Sequence, residues 1–261
     1  MMHEGKSYIV TGVASGIGAE TCRTLKAQGA TVLGIDRNKT DNADQFFQAD
    51  LSDLNSIDTV IKKLPAGTNG LANIAGLPPT APASMVMRVN LYGLQRLTNA
   101  LVPKMADGAS IVNLASLPGF GWPNALEQTT AALALSIDDN VDNFCEAQGL
   151  DADDSGRSYF LSKEALIIWT IQNRWTWRDR GINMNCVSPG PVDTPILRDF
   201  IQTLGARAEE DMRVMDRPGM PQDVAPVVSF ALSAHAKWFR GSNLTADGGM
   251  SSHILSNLHH L

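Results

Sequence analysis

The sequence predicts an α/β fold built on a single doubly wound parallel sheet with helices on both faces. Three observations predict it. Seven short apolar runs alternate with segments of helical periodicity. A glycine-rich loop joins the first run to the first helix. No repeat, low-complexity stretch or linker interrupts the 261 residues, so 1–261 reads as one domain. Buried parallel strands read as continuous apolar runs because both of their faces are covered, and the helices supply the crossovers.

In chain order, residues 8–10 form the first strand and end at Thr11-Gly12. A helix follows over 17–28. Its Gly18, Cys22 and Leu25 share one face at i, i+4 and i+7, and Gly29 stops it. Residues 31–35 and 46–49 are the second and third strands, and 56–64 is helical. The fourth strand, 71–74, leads into a helix over 86–105. The fifth strand is 111–114. A helix over 158–177 precedes the sixth strand, 182–187. A helix over 222–233 precedes the last strand, 242–246, which runs into Asp247-Gly248-Gly249.

Composition narrows the function classes. The chain is 44% hydrophobic and 18% charged, enough apolar matter for a packed core and too much for a disordered chain. Lys and Arg total 21 against 27 Asp and Glu, a formal charge of -6, which argues against nucleic-acid binding. No apolar run approaches the roughly 20 residues of a membrane span. Residues 1–6 are short and polar, unlike a secretory signal. Cys22, Cys145 and Cys186 are far apart and odd in number, so neither a disulfide framework nor a metal site is expected, and the reducing cytoplasm is the expected compartment. Of His3, His235, His253, His259 and His260, His235 alone lies away from the termini. With no G-x-S-x-G elbow, a Ser-His-Asp hydrolase is not expected.

The first strand runs into Thr11-Gly12-Val13-Ala14-Ser15-Gly16-Ile17-Gly18, a G-x-x-x-G-x-G loop. Glycines allow a tight turn and let backbone N–H groups approach a pyrophosphate at a helix N-terminus. Three glycines alone also describe an ordinary turn. The strand before and the helix after favour the phosphate reading. Eighteen residues beyond Gly18, the second strand ends at Asp36. A carboxylate there accepts from ribose hydroxyls and repels a 2′-phosphate, which points to NAD over NADP. The adjacent Arg37 pulls the other way. Asp50, closing the third strand, is a candidate adenine contact together with Leu51. Gly5-Lys6-Ser7 looks like the tail of a phosphate loop but follows no strand and lacks the upstream glycine.

Tyr159 and Lys163 stand at i and i+4, on one helical face and about one turn apart. An ammonium near a phenol is expected to lower a pKa that is ordinarily about 10, so that the tyrosine exchanges protons near neutral pH. A lone Y-x-x-x-K more often means a packed tyrosine beside a solvated lysine. Here it has company: Asn73-Ile74-Ala75-Gly76 after the fourth strand, Asn90, Ser116 after the fifth strand, and Pro189-Gly190-Pro191-Val192-Asp193-Thr194 after the sixth.

With these motifs in this order along nearly the whole chain, the sequence resembles the short-chain dehydrogenase/reductase family. The resemblance implies a Rossmann-type fold and an NAD-dependent alcohol dehydrogenase, with a homodimer or homotetramer as its assembly. It implies Tyr159 as acid/base, Lys163 on the ribose hydroxyls, Ser116 on the substrate oxygen and Asn90 on a water. It also implies cofactor contacts from Gly12, Ser15, Gly16, Ile17, Gly18, Asn73, Ala75, Gly76, Pro189, Gly190, Val192 and Thr194. Hydride transfer belongs to the cofactor, while the protein orients and moves protons.

The sequence departs from the family pattern in places. Ile74 replaces a second Asn. The segments 36–50 and 76–90 are short, and 122–156 is an insertion before the helix carrying Tyr159. That insertion contains Asp138, Asp139, Asp142, Glu146, Asp151, Asp153 and Asp154 and no Lys or Arg. Residues 125–135 could be helical. The insertion is either a solvated excursion or a wall of the substrate site. It could also cover the face through which the family assembles. Residues 195–221 would form a substrate flap carrying Phe200, Leu204, Met212, Met215 and Met220, with Arg198, Arg207 and Arg213 scattered through it. Met-rich surfaces adapt to apolar ligands, although these residues could equally be core. Trp169, Trp175 and Trp177 are expected to pack rather than bind. This combination resembles a subgroup acting on aryl-allylic alcohols such as coniferyl alcohol, or on 3α-hydroxysteroids and other carbonyls. A hydrophobic alcohol or ketone is therefore the expected partner, with no nucleic acid, membrane or metal. A non-catalytic NAD-binding regulator is the alternative from another class, but such a protein has no need to keep all four catalytic positions.

Overall fold

The computed structural model describes residues 1–151, 156–205, 210 and 212–261. Asp153, Asp154 and Arg207 lie outside the described residues. The strands are β1 (Ser7–Thr11), β2 (Thr31–Asp36), β3 (Gln45–Gln48), β4 (Gly70–Asn73), β5 (Ser110–Leu114), β6 (Asn183–Pro189) and β7 (Asn243–Ala246). All seven are parallel in one sheet, in the order β3-β2-β1-β4-β5-β6-β7. Each expected strand is present to within two residues at either end. β3 ends at Gln48, so Asp50 stands two residues beyond the strand it was expected to close.

Alternate strand residues face opposite layers. On one face, Ile9, Leu33, Leu71, Ile111 and Met184 join a core with Leu97 and Leu161. On the other, Tyr8, Val10, Val32, Val112 and Val187 join Leu25, Val224 and Val228. The helices are α1 (Gly16–Ala27), α2 (Leu54–Lys63), α3 (Ala83–Met87), α4 (Leu94–Leu101), α5 (Leu126–Leu133), α6 (Val141–Ala147), α7 (Arg157–Gln172), α8 (Leu197–Leu204), α9 (Pro221–Leu232) and α10 (Met250–His259). Cys22 and Leu25 are fully buried on α1, and Gly29 ends it at φ +90°. Asp53 caps α2 by accepting from the Asn55 amide at 2.9 Å.

The helix expected over 86–105 is not continuous. A π-turn, Arg88–Gly93, separates α3 from α4. Gly93 packs so closely on the Leu51 carbonyl that a side chain there would collide with it. The helix expected to reach Trp177 ends at Gln172. There Asn173 turns its amide onto the Trp169 carbonyl at 2.8 Å, and Gly181 takes the left-handed conformation before β6. Trp169 is buried and Trp177 half-buried. Trp175 is 56% exposed and packs at the surface. It stacks with Arg174, whose guanidinium lies 4.5 Å from the ring centroid.

The insertion folds onto the body. A 3₁₀ segment, Leu117–Asn124, leads into α5 and α6, which bury Thr129, Ala132, Val141 and Cys145. Tyr92 donates to the Ala132 carbonyl at 3.1 Å, Arg88 pairs with Asp142 at 3.2 Å, and Arg157 donates to Gln128 at 2.8 Å. A solvated excursion is therefore not what these residues make. Apolar contacts, one ion pair and hydrogen bonds hold the insertion against the π-turn and α7. Among the described residues, no helix is long and apolar enough to cross a membrane, and no group of three or more His, Cys, Asp or Glu side chains could hold a metal.

Candidate active site

Strand order reverses between β1 and β4, and crevices form beyond the strand ends at such a switch point. Gly12 lies there at φ +75°, where a Cβ would come within 2.8 Å of the Ala75 backbone. Thr11 fixes this approach. Its hydroxyl accepts from the Ile74 and Ala75 amides at 2.9 and 3.0 Å. Sequence reasoning missed Thr11 as a site residue, and its place directly before Gly12 was the available signal. A Cβ on Gly16 would meet Thr194 Cγ2 at 3.1 Å, and a side chain on Gly18 would collide with the Gly12 carbonyl. Ser15 caps α1 with no side-chain hydrogen bond, and the first turn holds no acidic residue. The exposed amides and the helix dipole therefore favour an anion at this end.

A cleft of about 400 Å³ opens from this loop. Of the expected cofactor contacts, Gly12, Ser15, Gly16, Ile17 and Gly18 line one wall. Asp36, Arg37, Asp50 and Leu51 line a second, and Ala75, Gly76 and Thr194 close it. Asp36 accepts from the Ala14 and Asn38 amides, both at 2.9 Å, so the carboxylate is held in place at the cleft wall. Asp50 accepts from the Ser52 amide and hydroxyl at 2.8 and 2.7 Å. The residues fit a dinucleotide: glycines that admit a diphosphate, then a fixed carboxylate at the far end. A wider groove of about 640 Å³ lies outside α1 near Glu20, Arg23 and Gln222 and shares only Gly16, Thr194 and Pro195 with the cleft.

Six expected cofactor contacts stand apart from the lining: Tyr159 and Lys163, described below, and four others. Asn73 is 1% exposed, and its amide donates to Thr98 and Asn113, both at 2.9 Å, tying β4 to β5 and α4. Pro189 is buried at the end of β6, and Gly190 packs on Asp247. Val192 is buried in the second core and bridges to Gly219. Conversely, Leu77, Pro78, Met85, Leu114, Ile196 and Asp199 line the cleft without having been expected there. Most are apolar neighbours of motif residues and carry no signal of their own in sequence.

The Tyr159–Lys163 face of α7 meets the end of β5. Tyr159 is 7% exposed, Lys163 4% and Ser116 9%. Lys163 Nζ lies 5.5 Å from the Tyr159 ring centroid and donates to the Leu114 carbonyl at 2.7 Å. The segment after Ser116 lies on α7 because Gly119 has no side chain. A Cβ there would come within 3.0 Å of the Lys163 carbonyl oxygen. Asn90 sits in the π-turn. Its Oδ1 accepts from the Leu77 amide at 2.7 Å, and its amide donates to the Leu77 carbonyl at 3.1 Å and to Ser162 Oγ at 3.4 Å. The geometry thus brings all four candidate catalytic side chains to one place.

Electrostatics corrects one expectation. Burial pushes the Tyr159 phenol up to about 12, and a hydrogen bond with Ser116 offsets this only in part. Burial also pushes the Lys163 ammonium down to about 8. With neither charge solvated, desolvation outweighs the attraction that was expected to bring the phenol toward neutral pH.

Residues 6–126 match the short chain dehydrogenase family, and residues 147–251 match the family described as enoyl-(acyl carrier protein) reductase. A coniferyl-alcohol dehydrogenase of Pseudomonas sp. (strain HR199 / DSM 7063) is 41% identical, over 97% of this chain and 99% of that one. The chain belongs to the short-chain dehydrogenase/reductase family. It is an oxidoreductase. Within the family, a 3-alpha-hydroxysteroid dehydrogenase/carbonyl reductase of Comamonas testosteroni is 28% identical over 94% of this chain and 96% of its own. Among solved structures, the 3-alpha-hydroxysteroid dehydrogenase from Pseudomonas sp. B-0831 complexed with NADH superposes with a TM-score of 0.81. It is 29% identical and covers 95% of this chain and 98% of its own.

Proposed function

We propose that the chain is an NAD-dependent dehydrogenase of hydrophobic alcohols and their carbonyls, with an aryl-allylic alcohol such as coniferyl alcohol as substrate. The observation that carries this reading is the buried Ser116, Tyr159 and Lys163 group at the end of a glycine-lined cleft. Tyr159 passes a proton to or from the substrate oxygen, and Ser116 hydrogen-bonds that oxygen. Lys163 holds ribose hydroxyls and favours the phenolate, and Asn90 orders the proton path beyond it. Gly12, Ser15, Gly16, Ile17 and Gly18 hold the diphosphate. Asp36 accepts from the adenosine ribose and disfavours a 2′-phosphate, which supports NAD over NADP. A bound nicotinamide supplies the hydride acceptor or donor. The likeness to the coniferyl-alcohol enzyme supports the substrate class, and the likeness to the 3-alpha-hydroxysteroid enzyme supports a steroid alcohol as second reading.

We read residues 1–261 as one domain, with 122–156 as its insertion and 195–221 as its flap. The insertion's described residues cover the π-turn and α7 rather than line the cleft. A homo-oligomer therefore uses another face, and light scattering before and after shortening the insertion tests that assignment.

The functional test follows absorbance of the reduced nicotinamide with coniferyl alcohol, a 3α-hydroxysteroid and small alcohols, with NAD and NADP side by side. NAD-linked oxidation of coniferyl alcohol that vanishes in Tyr159→Phe is the expected result. Preference for the steroid selects the second reading. NAD binding without turnover across the panel overturns both and leaves a regulator.

A further inference from the structure

Tyr159 and Ser116 are only 7% and 9% exposed. Among the described residues, the lining of the cleft includes Leu114, Leu77 and Asp199 but neither of these two. A side chain of the protein itself lies against the tyrosine ring. The Phe200 ring, on α8, stands edge-on to the Tyr159 ring with centroids 4.8 Å apart and planes at 86°. This is the geometry an aryl substrate would seek against the same ring.

Among the described residues, little else secures α8. Of residues 197–203, none is fully buried. Among the described residues, one side-chain hydrogen bond ties the helix across the cleft. Thr80, in the loop after β4, donates to Asp199 Oδ1 at 2.6 Å. Pro79 and Thr203 both crowd Gly156, at the start of α7, where an added Cβ would meet them at 2.8 and 3.1 Å. A short charge-assisted hydrogen bond on an otherwise loosely packed helix is where local opening is decided.

We propose that Phe200 is a specificity-determining residue that occupies the place of the substrate ring, that the Thr80–Asp199 hydrogen bond latches it there, and that an aromatic alcohol enters by displacing it. Planar aromatic substrates then recover the edge-on contact with Tyr159 that Phe200 gives up, whereas small aliphatic alcohols do not. The latch holds the open fraction low, and apparent affinity is reduced by that fraction. This proposal rests on the dehydrogenase reading.

The test has two arms. Amide hydrogen exchange of residues 197–204 is measured without substrate in the parent, Thr80→Val and Asp199→Asn proteins. Both positions are off the catalytic group, and Thr80 is exposed, so the fold is undisturbed. Exchange rises in α8 and stays unchanged in α7, more in Thr80→Val than in Asp199→Asn, whose amide oxygen still accepts. Calorimetric titration with coniferyl alcohol, on a Tyr159→Phe background with NADH present, then reads the occlusion. Adding Thr80→Val tightens binding by about threefold, as a larger open fraction requires. Unchanged exchange in both variants overturns the latch. Raised exchange with no tighter binding overturns the occlusion. Failure of the dehydrogenase reading shows separately, as absence of turnover in the parent protein.

Discussion

Two helices meet at Tyr159, and they are held in opposite ways. α7 is sixteen residues long and buries eleven of them, including Tyr159, Lys163 and Glu164. α8 is half that length, and none of its described side chains is fully buried. The proton-handling groups sit on the helix whose neighbours leave it no freedom. Access is controlled by the helix that a few contacts hold. Catalytic geometry needs preorganisation, whereas substrate entry needs an element that opens at little cost. Substitutions on α7 should therefore cost activity or stability outright, and those on α8 should shift access alone.

The largest effect belongs to Tyr159→Phe. The ring and its packing remain, so the melting midpoint moves little. Turnover falls by roughly 10²–10⁴ on loss of general acid–base catalysis. Retained turnover would break the contrast at its strongest point. Next comes Arg157→Met. Arg157 donates to both oxygens of Glu164, at 3.0 and 2.7 Å, and the carboxylate is only 4% exposed. Removing the guanidinium leaves a buried charge unpaired, a loss of about 3 kcal/mol in a denaturant titration. A loss under about 0.5 kcal/mol would show that α7 is less rigidly held than its burial implies.

Lys163 sharpens the comparison through pH. Its folded pKa of about 8 lies below the ordinary 10.5. Below pH 8 both folded and unfolded chains hold the proton, and the full cost of burying the ammonium is present. Between about 8 and 10.5 the unfolded chain binds more protons, so stability rises with pH by up to roughly 3 kcal/mol. Tyr159, raised from 10 to about 12, acts in the other direction and only above pH 10. Denaturation midpoints at pH 7 to 10 should therefore climb in the parent protein and stay level in Lys163→Met, which starts higher. The smallest effect on stability is Phe200→Leu, under about 1 kcal/mol for so little buried a position. Its consequence appears in the ratio of KM values for aryl and aliphatic alcohols. A large loss of stability would place α8 with α7 after all.

Legibility followed the same division. β1, β2, β5 and β6 were readable because buried parallel strands announce themselves as apolar runs. The ends of α1 were readable because Gly16 and Gly29 mark them. α6, α8 and α10 were not. Each is short or carries a narrow apolar stripe, which leaves little periodicity for a sequence window to read. The turn that breaks the 86–105 helix carries Gly93 against Leu51, forty-two positions away, a contact that no local window contains. Asn73 looked like a cofactor contact because of the motif around it. Only its partners Thr98 and Asn113 show that its side chain fastens the sheet.

By itself the sequence determined the doubly wound sheet, the glycine loop with Asp36 beyond it, and the pairing of Tyr159 with Lys163. These follow from periodicity and spacing, which neighbours along the chain specify. Tertiary structure alone decided that the insertion packs as a cap on α7, that the Tyr159 phenol is raised rather than lowered, and that Phe200 covers it. Each depends on how much water is excluded around a group, and that is set by residues distant in the chain and close in space.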